Sequence, residues 1–341
     1  MTPVFALTTR GLEDVAASEM AALPEVTLLD TGYRRVAAEC AGSPAALLGL
    51  RTVDDAYLEL DRWRGIAHTR EMLAVLREAA RELDIEYAAE VIGTLRDVPA
   101  APLFSVTASF VGKRNFNVDE IKRAVAQGVA TGTDWTYTPD DEIAAFNVRV
   151  FIDHETAIVG VRLGSKPLHE RDYRAVERMG ALKPPVAAAM VRLAEVQAGQ
   201  SVLDPCCGSG TILLEAAAMG ADASGGDFDA QAVQDTRANM RTVDAHLRVE
   251  HWDARRLPLE DANVDAVVSN LPWGRQIALD EALSALYAEV CLEIERVLRP
   301  GGRAVLLTTS PELLRFSALE LAETREISLF GQNPVISVFQ K

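Results

Sequence analysis

VLDPCCGSGTILLEAA, residues 202–217, is the stretch on which the fold turns. It opens as an apolar strand that stops at Asp204, turns through Gly208 and Gly210, and enters an apolar helix at Thr211. A strand that feeds a helix through such a turn is the repeating step of a doubly wound sheet. Glycines there let backbone approach a ligand where a side chain would clash, and the helix N-terminus points at the same place. The dinucleotide fingerprint G-x-G-x-x-G is incomplete, because Leu213 stands at the third glycine position. That weakens a nicotinamide reading and leaves a plain strand-to-helix turn as the alternative.

The rhythm continues downstream. DASGGDF (222–228) reads as a second strand, followed by a helix from 230 to about 243. LRVEHWD (247–253) alternates as a strand, and VDAVVSN (264–270) is an apolar one. A helix from about 282 to 298 ends at RPGG, and RAVLLTT (303–309) is the next strand. PELLRFSALE, with Pro311 at its start, predicts a helix, and REISLF with PVISVFQ predicts a closing hairpin. The fold class is α/β: a Rossmann-like, mostly parallel sheet ending in an antiparallel pair.

The first half reads differently. VFALTTRGLEDVAASEMAAL (4–23) is strand, turn and helix, and VTLLDTGYRRVAAEC (26–40) is a strand pair around Thr31 and Gly32. SPAALLGL (43–50) begins a helix with Ser43 as N-cap and Pro44 in the first turn, and AYLELDRW (56–63) is a returning strand. Residues 1–60 therefore form a small α+β unit of split βαβ type. A helix from His68 to about Glu82, the strand LFSVTASFV, the helix VDEIKRAVAQGVATGT and the strands of IAAFNVRVFIDHETAIVGVRL form a second α+β unit, 61–165. Residues 166–182 link it to the sheet domain, 183–341.

A chain of 341 residues with 49% hydrophobic content suits two or three domains with real cores. No apolar run reaches the roughly 18–20 residues of a membrane helix, and the acidic N-terminal stretch is no signal peptide, so the expected location is cytoplasmic, with no membrane contact. Cys40, Cys206, Cys207 and Cys291 lack metal-site spacing, and the five histidines are scattered, so no metal is expected. The formal charge of −16 alone argues against a nucleic-acid partner. Distribution argues the other way: Lys113 and Arg114 stand together, and Arg162, Lys166, Arg171, Arg174, Arg178, Lys183 and Arg192 form a basic run. Scattered solvated charge is the competing reading.

Several strand ends carry polar side chains. Asp227 follows the second strand, where an acidic residue can accept both hydroxyls of an adenosine ribose. Asp229 reads as the cap of the next helix. Asp253 ends the third strand, where its carboxylate could accept from an adenine amino group while Ala254 offers a backbone N–H. Asn270 ends the fourth, in NLPWG (270–274). In an open sheet, ligands bind beyond the carboxyl ends of the strands, so these positions line one crevice with Asp204.

DPCCGSGT, GGDFD, WDA and NLPWG, in this order, resemble a class I S-adenosylmethionine-dependent methyltransferase, over residues 175–341. The resemblance implies S-adenosyl-L-methionine as cofactor, held by Asp204, Cys206, Gly208, Gly210, Thr211, Asp227, Phe228, Asp253, Ala254 and Asn270, with Pro184 in the segment that covers it. The Asn-x-Pro-aromatic element is used by enzymes that methylate exocyclic amino groups; here it is Asn270, Leu271, Pro272 and Trp273, with Leu271 where a second proline is common. A planar amino nitrogen has its lone pair delocalised into the base. Two acceptors, the Asn270 oxygen and the Leu271 or Pro272 carbonyl, favour a pyramidal nitrogen, and Trp273 offers a stacking face to a flipped base.

PLFSVTASFVGKRNFNVDEIKRAVAQGV resembles a THUMP RNA-binding domain, and the opening FALTTRGLEDVAASEM is similar to the ferredoxin-like unit that accompanies it. The whole arrangement is similar to tRNA guanine-N2 methyltransferases acting on the acceptor stem, at position 6. This implies tRNA as partner of a monomeric enzyme, with Lys113, Arg114, Asn115, His169, Arg171, Arg174 and Arg275 as RNA contacts. A 23S rRNA guanine-N2 methyltransferase and a non-catalytic THUMP assembly factor are the alternatives.

Overall fold

The computed structural model describes residues 1–99, 102–178, 180–241, 247–273 and 280–341, with backbone alone for 280–282. The chain divides into two compact units, one of Met1–Thr8 with Ala17–Leu168 and one of Thr9–Ala16 with His169–Lys341.

In the first unit β1 (Thr2–Leu7), the C-terminal half of α1 (Glu13–Ala21), β2 (Val26–Gly32), β3 (Arg35–Cys40) and β4 (Asp55–Arg64) precede α2 (Met72–Arg81) and α3 (Ile85–Gly93). Then come β5 (Leu103–Val111), α4 (Val118–Gly132), β6 (Thr136–Tyr137), β7 (Phe146–Asp153) and β8 (Thr156–Arg162). All eight strands join one sheet, ordered β2-β3-β1-β4-β8-β7-β5-β6. The boundary expected at 60/61 falls inside β4, which pairs with β1 on one side and β8 on the other. The helix expected over 43–50 is a short 3-10 turn, Pro44–Gly49, with Ser43 accepting from the Ala45 N–H as its cap.

Sequence reading passed over α3. Its signals are present: Asp84 accepts from the Tyr87 N–H as N-cap, and Ile85, Ala88 and Ile92 are buried along one face. α4 starts on a reciprocal cap between Asn117 and Glu120, both bonds at 2.9 Å. Its close approach to α2 depends on Gly128, where a Cβ would lie 2.2 Å from the Arg77 carbonyl oxygen.

The second unit holds α5 (Pro184–Leu193), β9 (Ser201–Asp204), α6 (Thr211–Ala218), β10 (Asp222–Asp227), α7 (Ala230–Met240), β11 (Leu247–His251), β12 (Val264–Asn270), α8 (Asp280–Val297), β13 (Leu298–Thr308), β14 (Glu320–Glu326) and β15 (Val335–Gln340). The sheet runs β11-β10-β9-β12-β13-β15-β14. β11 to β13 are parallel; β15 and β14 close it antiparallel. Both faces are buried, and strand alternation divides them. Val202, Val268, Val305 and Leu307 enter one core with α5 and α6, whereas Leu203, Val267, Ala304 and Leu306 enter another with α8. β9 has β10 on one side and β12 on the other, which makes the C-terminal ends of β9 and β12 the topological switch point.

The helix expected from Pro311 does not form. A single 3-10 turn, Pro311–Leu313, is followed by irregular chain up to β14. Tertiary contacts replace helical ones: Ser317 and Ala318 N–H groups bond to the Glu295 carboxylate of α8, and Phe316 packs edge-on against Phe339. The closing hairpin is β14 with β15, so its first strand starts earlier than REISLF and ends at Glu326. RPGG lies inside the irregular start of β13, directly after α8.

Gly128→Val forces α2 and α4 apart and should destabilise the protein by about 1–3 kcal/mol, read as a lower urea midpoint. Gly93→Ala, where a Cβ meets nothing within 4 Å, should instead be neutral or stabilising by up to about 1 kcal/mol.

Candidate active site

The turn after β9 is built around two glycines with different duties. Gly210 (φ +84°) caps α6, and a Cβ there would sit 2.5 Å from the Thr236 methyl of α7. Gly208 (φ +55°) would meet nothing within 4 Å, so its backbone conformation and not crowding selects glycine. Thr236 Oγ1 donates to the Gly208 carbonyl (2.8 Å), and Asn239 Nδ2 donates to the Ser209 carbonyl (3.0 Å). Thr211 is buried in the first turn of α6, and Pro184 is buried at the start of α5.

Asp204 is 1% exposed. Its Oδ1 accepts from the Cys206 N–H (3.1 Å) and from Ser269 Oγ (2.7 Å), one residue before Asn270. Burial pushes its carboxyl up to about 7; the two hydrogen bonds oppose this, and the nearby Asp227 charge adds to it. Asp227 accepts from the Gly208 N–H and the Asp229 N–H, both at 2.9 Å, one per carboxylate oxygen. Each oxygen keeps a lone pair for a diol. Phe228 beside it is 72% exposed. Asp229 caps α7 by accepting from the Gln231 N–H.

Asp253 is engaged by Arg255 through two guanidinium nitrogens and the backbone N–H, which holds its carboxyl below the usual range. The partners are partly exposed, so a ligand that takes Asp253 displaces a weak surface pair. Ala254 beside it is buried.

The loop after β12 carries the remaining groups. Asn270 Oδ1 accepts from Trp273 Nε1 at 2.9 Å. Leu271 is buried and its N–H bonds to the Leu307 carbonyl. The Pro272 carbonyl accepts from the hydroxyl of Tyr287 (2.8 Å), which also meets Thr308 Oγ1 at 2.6 Å.

Sequence reasoning missed Ser269, Tyr287, Thr308, Tyr173, Glu215 and Asn239. Ser269 and Glu215 carry a signal, a polar group inside an apolar run; the others stand out only through their partners in the fold. Glu215 in TILLEAAA is fully buried and accepts from Tyr173 Oη (2.6 Å) and Arg171 Nε (3.0 Å). Val176 exchanges two bonds with Asn239, and Arg178 pairs with Asp229 and Asp235. Residues 171–178 are thus fastened onto α6 and α7, the helices that flank the glycine turn.

Several of the residues expected to contact RNA have partners within the protein. Arg171 is consumed by the buried carboxylate of Glu215, because an unpaired buried charge there would be costly. Arg174 pairs with Glu177 (2.7 Å), and His169 is half-buried on the same segment. Arg114 turns inward to the carbonyls of Ile66, Ala67 and His154 and lies over Phe110 and Phe116. Lys113 and Asn115 on the same turn are exposed. Arg275 lies outside the described residues. Among the described residues no cluster of His, Cys, Asp or Glu could hold a metal, and no helix is long and apolar enough to cross a membrane.

The raised Asp204 carboxyl makes stability pH-dependent. A carboxyl that binds its proton more tightly when folded contributes stability at low pH that is lost as pH rises through about 7. Asp204→Asn keeps an acceptor for Cys206 and Ser269 without the charge. In the absence of ligand it should raise Tm at pH 8.5 by at least about 2 °C, and by less at pH 5.5, in parallel melts.

Residues 171–333 match the RMKL-like methyltransferase domain family. The chain is 33% identical over 345 residues to the tRNA (guanine(6)-N2)-methyltransferase of Thermus thermophilus, covering 98% of each. It is 36% identical over 172 residues, 47% of this chain and 30% of the relative, to the U6 snRNA (guanine-N(2))-methyltransferase THUMPD2 of Mus musculus. The crystal structure of TrmN from Thermus thermophilus aligns over 100% of both chains with a TM-score of 0.80 at 30% identity. A glycine turn and an Asn-Leu-Pro-Trp loop meeting at the β9–β12 switch point, and full-length similarity, lead to one assignment: the chain belongs to the family of S-adenosylmethionine-dependent RNA guanine-N2 methyltransferases.

Proposed function

We propose that this protein methylates the exocyclic N2 of one guanosine in the tRNA acceptor stem, at position 6, acting as a cytoplasmic monomer. The observation that carries this reading is the placement of Asn270 at the end of β12 beside Asp204 at the end of β9, joined through Ser269. The cofactor turn and the amine-binding loop are then one hydrogen-bonded unit.

The crevice suits a cationic adenosine cofactor: it offers Asp204, Asp227 and Asp253, a backbone position at Gly208 with open space, and the exposed ring of Phe228. Asp227 would hold the ribose, Asp253 and the Ala254 N–H the adenine, and the turn from Cys206 to Thr211 the methionine end. Bound there, S-adenosylmethionine supplies an electrophilic sulfonium methyl.

The protein's part is positioning. Asn270 Oδ1 and a main-chain carbonyl of Leu271 or Pro272 accept the two N–H bonds of the target amine, which turns its lone pair out of the base plane. Trp273 stacks on the flipped base. No strong base is needed before attack, because oriented dipoles and proximity lower the barrier. Residues 1–60 and 61–165 act as ferredoxin-like and THUMP elements that grip the RNA, with Lys113 and Asn115 on the gripping surface.

The test is incubation with methyl-labelled cofactor and total RNA, followed by nuclease mapping and mass spectrometry. Label should reside in N2-methylguanosine of tRNA; label confined to rRNA overturns the substrate. Asn270→Ala should lower turnover by roughly 10²–10³ while cofactor binding is kept.

A further inference from the structure

Two acceptors in the 270–273 loop have donors supplied by the protein itself. An indole N–H can only donate, so the Asn270 atom 2.9 Å from Trp273 Nε1 is the amide oxygen and not the amide nitrogen. The bond therefore settles which way the amide faces. Its oxygen has two lone pairs, and the indole takes one.

The second acceptor is held by a chain whose polarity is equally forced. The Pro272 carbonyl cannot donate, so Tyr287 donates to it. The hydroxyl proton of Tyr287 is then spent, and the 2.6 Å contact with Thr308 Oγ1 has Thr308 as donor. Thr308 in turn accepts from the Ser310 N–H at 3.0 Å. The protons run one way: Ser310 N–H to Thr308, Thr308 to Tyr287, Tyr287 to Pro272. Successive bonds of this kind polarise one another. Tyr287 is 1% exposed and Thr308 fully buried, so water does not substitute for either. Burial pushes the Tyr287 hydroxyl up to about 12, which keeps it a donor at any working pH.

We propose that Tyr287 and Thr308 are positioning residues for methyl transfer, and that Trp273 acts through its indole N–H as well as its ring. Each acceptor of the loop is aimed from behind: Asn270 by Trp273, and the Pro272 backbone by Tyr287, itself set by Thr308. The loop after β12 is thereby tied to the end of β13 and to the turn at 311–313, which gives that turn a role in where the base sits. This inference rests on the reading of Asn270 as the amine acceptor.

The experiment is steady-state and single-turnover methylation of a tRNA transcript by full-length variants, with cofactor affinity and Tm measured on each. Tyr287→Phe and Thr308→Val keep shape and lose the hydroxyl. Each should lower kcat by about tenfold to a hundredfold, with KM for tRNA and cofactor affinity changed little. Thr308→Ser, which keeps the hydroxyl, should restore kcat, and the Tyr287→Phe/Thr308→Val double variant should be no worse than the poorer single. Trp273→Phe should lower kcat at nearly unchanged KM, whereas Trp273→Ala should also raise KM. Full kcat in Thr308→Val, or equal loss in Thr308→Ser and Thr308→Val, overturns the relay. Full kcat in Trp273→Phe overturns the indole role. Asn270→Ala separates the two levels: full turnover there sinks the amine-acceptor reading itself, while a dead Asn270→Ala beside fully active Tyr287→Phe and Thr308→Val sinks only the positioning inference.

Discussion

The hydrogen bond from Ser269 Oγ to Asp204 Oδ1, 2.7 Å long and out of contact with water, ties together the two halves of the crevice. Asp204 ends β9 and begins the glycine turn; Ser269 precedes Asn270 at the end of β12. Parallel strands in a doubly wound sheet are joined only through long crossovers, so nothing in the local chain fixes the end of one against the end of its neighbour. A buried side-chain bond across the switch point does. It also explains why a carboxylate is tolerated in a site that raises its proton affinity: the same oxygen receives the Cys206 N–H and so sets the first residues of the turn.

Around that bond, further acceptors at the strand ends each receive donors from the protein. Asp227 is held by the Gly208 and Asp229 N–H groups, Asn270 by Trp273, and Pro272 by Tyr287. An acceptor that already receives one bond is fixed in direction yet retains a lone pair, so little reorganisation is left for the moment a ligand arrives. The glycine turn obeys the same economy of motion. Thr236 packs against Gly210 and donates to the Gly208 carbonyl, and Asn239 bonds to both Ser209 and Val176. The segment 171–178 and the turn are therefore braced by one helix, α7.

What the sequence made legible was whatever repeats or stands at an end. Asp204, Asp227, Asp253 and Asn270 could be placed on one edge because strand periodicity and the rule for open sheets locate strand ends without knowledge of packing. Side-chain partners across the fold could not be read that way. Arg114 and Arg171 look like surface cations in a linear chain, yet one turns inward to three carbonyls and the other meets Glu215 from 44 residues away. PELLRFSALE has helical composition, but Glu295 of α8 captures its N–H groups. Tyr287 and Thr308 are unremarkable in sequence, because their significance lies in a relay between two strands and a helix.

The same distinction bears on charge. A net charge of −16 looks hostile to RNA, but whole-chain charge is a poor guide to binding when fields are screened within about 8 Å at physiological salt. What counts is which cations remain available. Arg162 lies between Asp55 and Asp141, Arg178 between Asp229 and Asp235, and Arg325 between Asp14 and Glu323. These guanidinium groups hold the protein together and add little to an external field. The acidic residues are not all surplus either, since many of them are the partners of those guanidinium groups. A chain can thus be acidic overall, with much of that charge spent on internal pairs, and still carry exposed cations such as Lys113, Lys166 and Arg248.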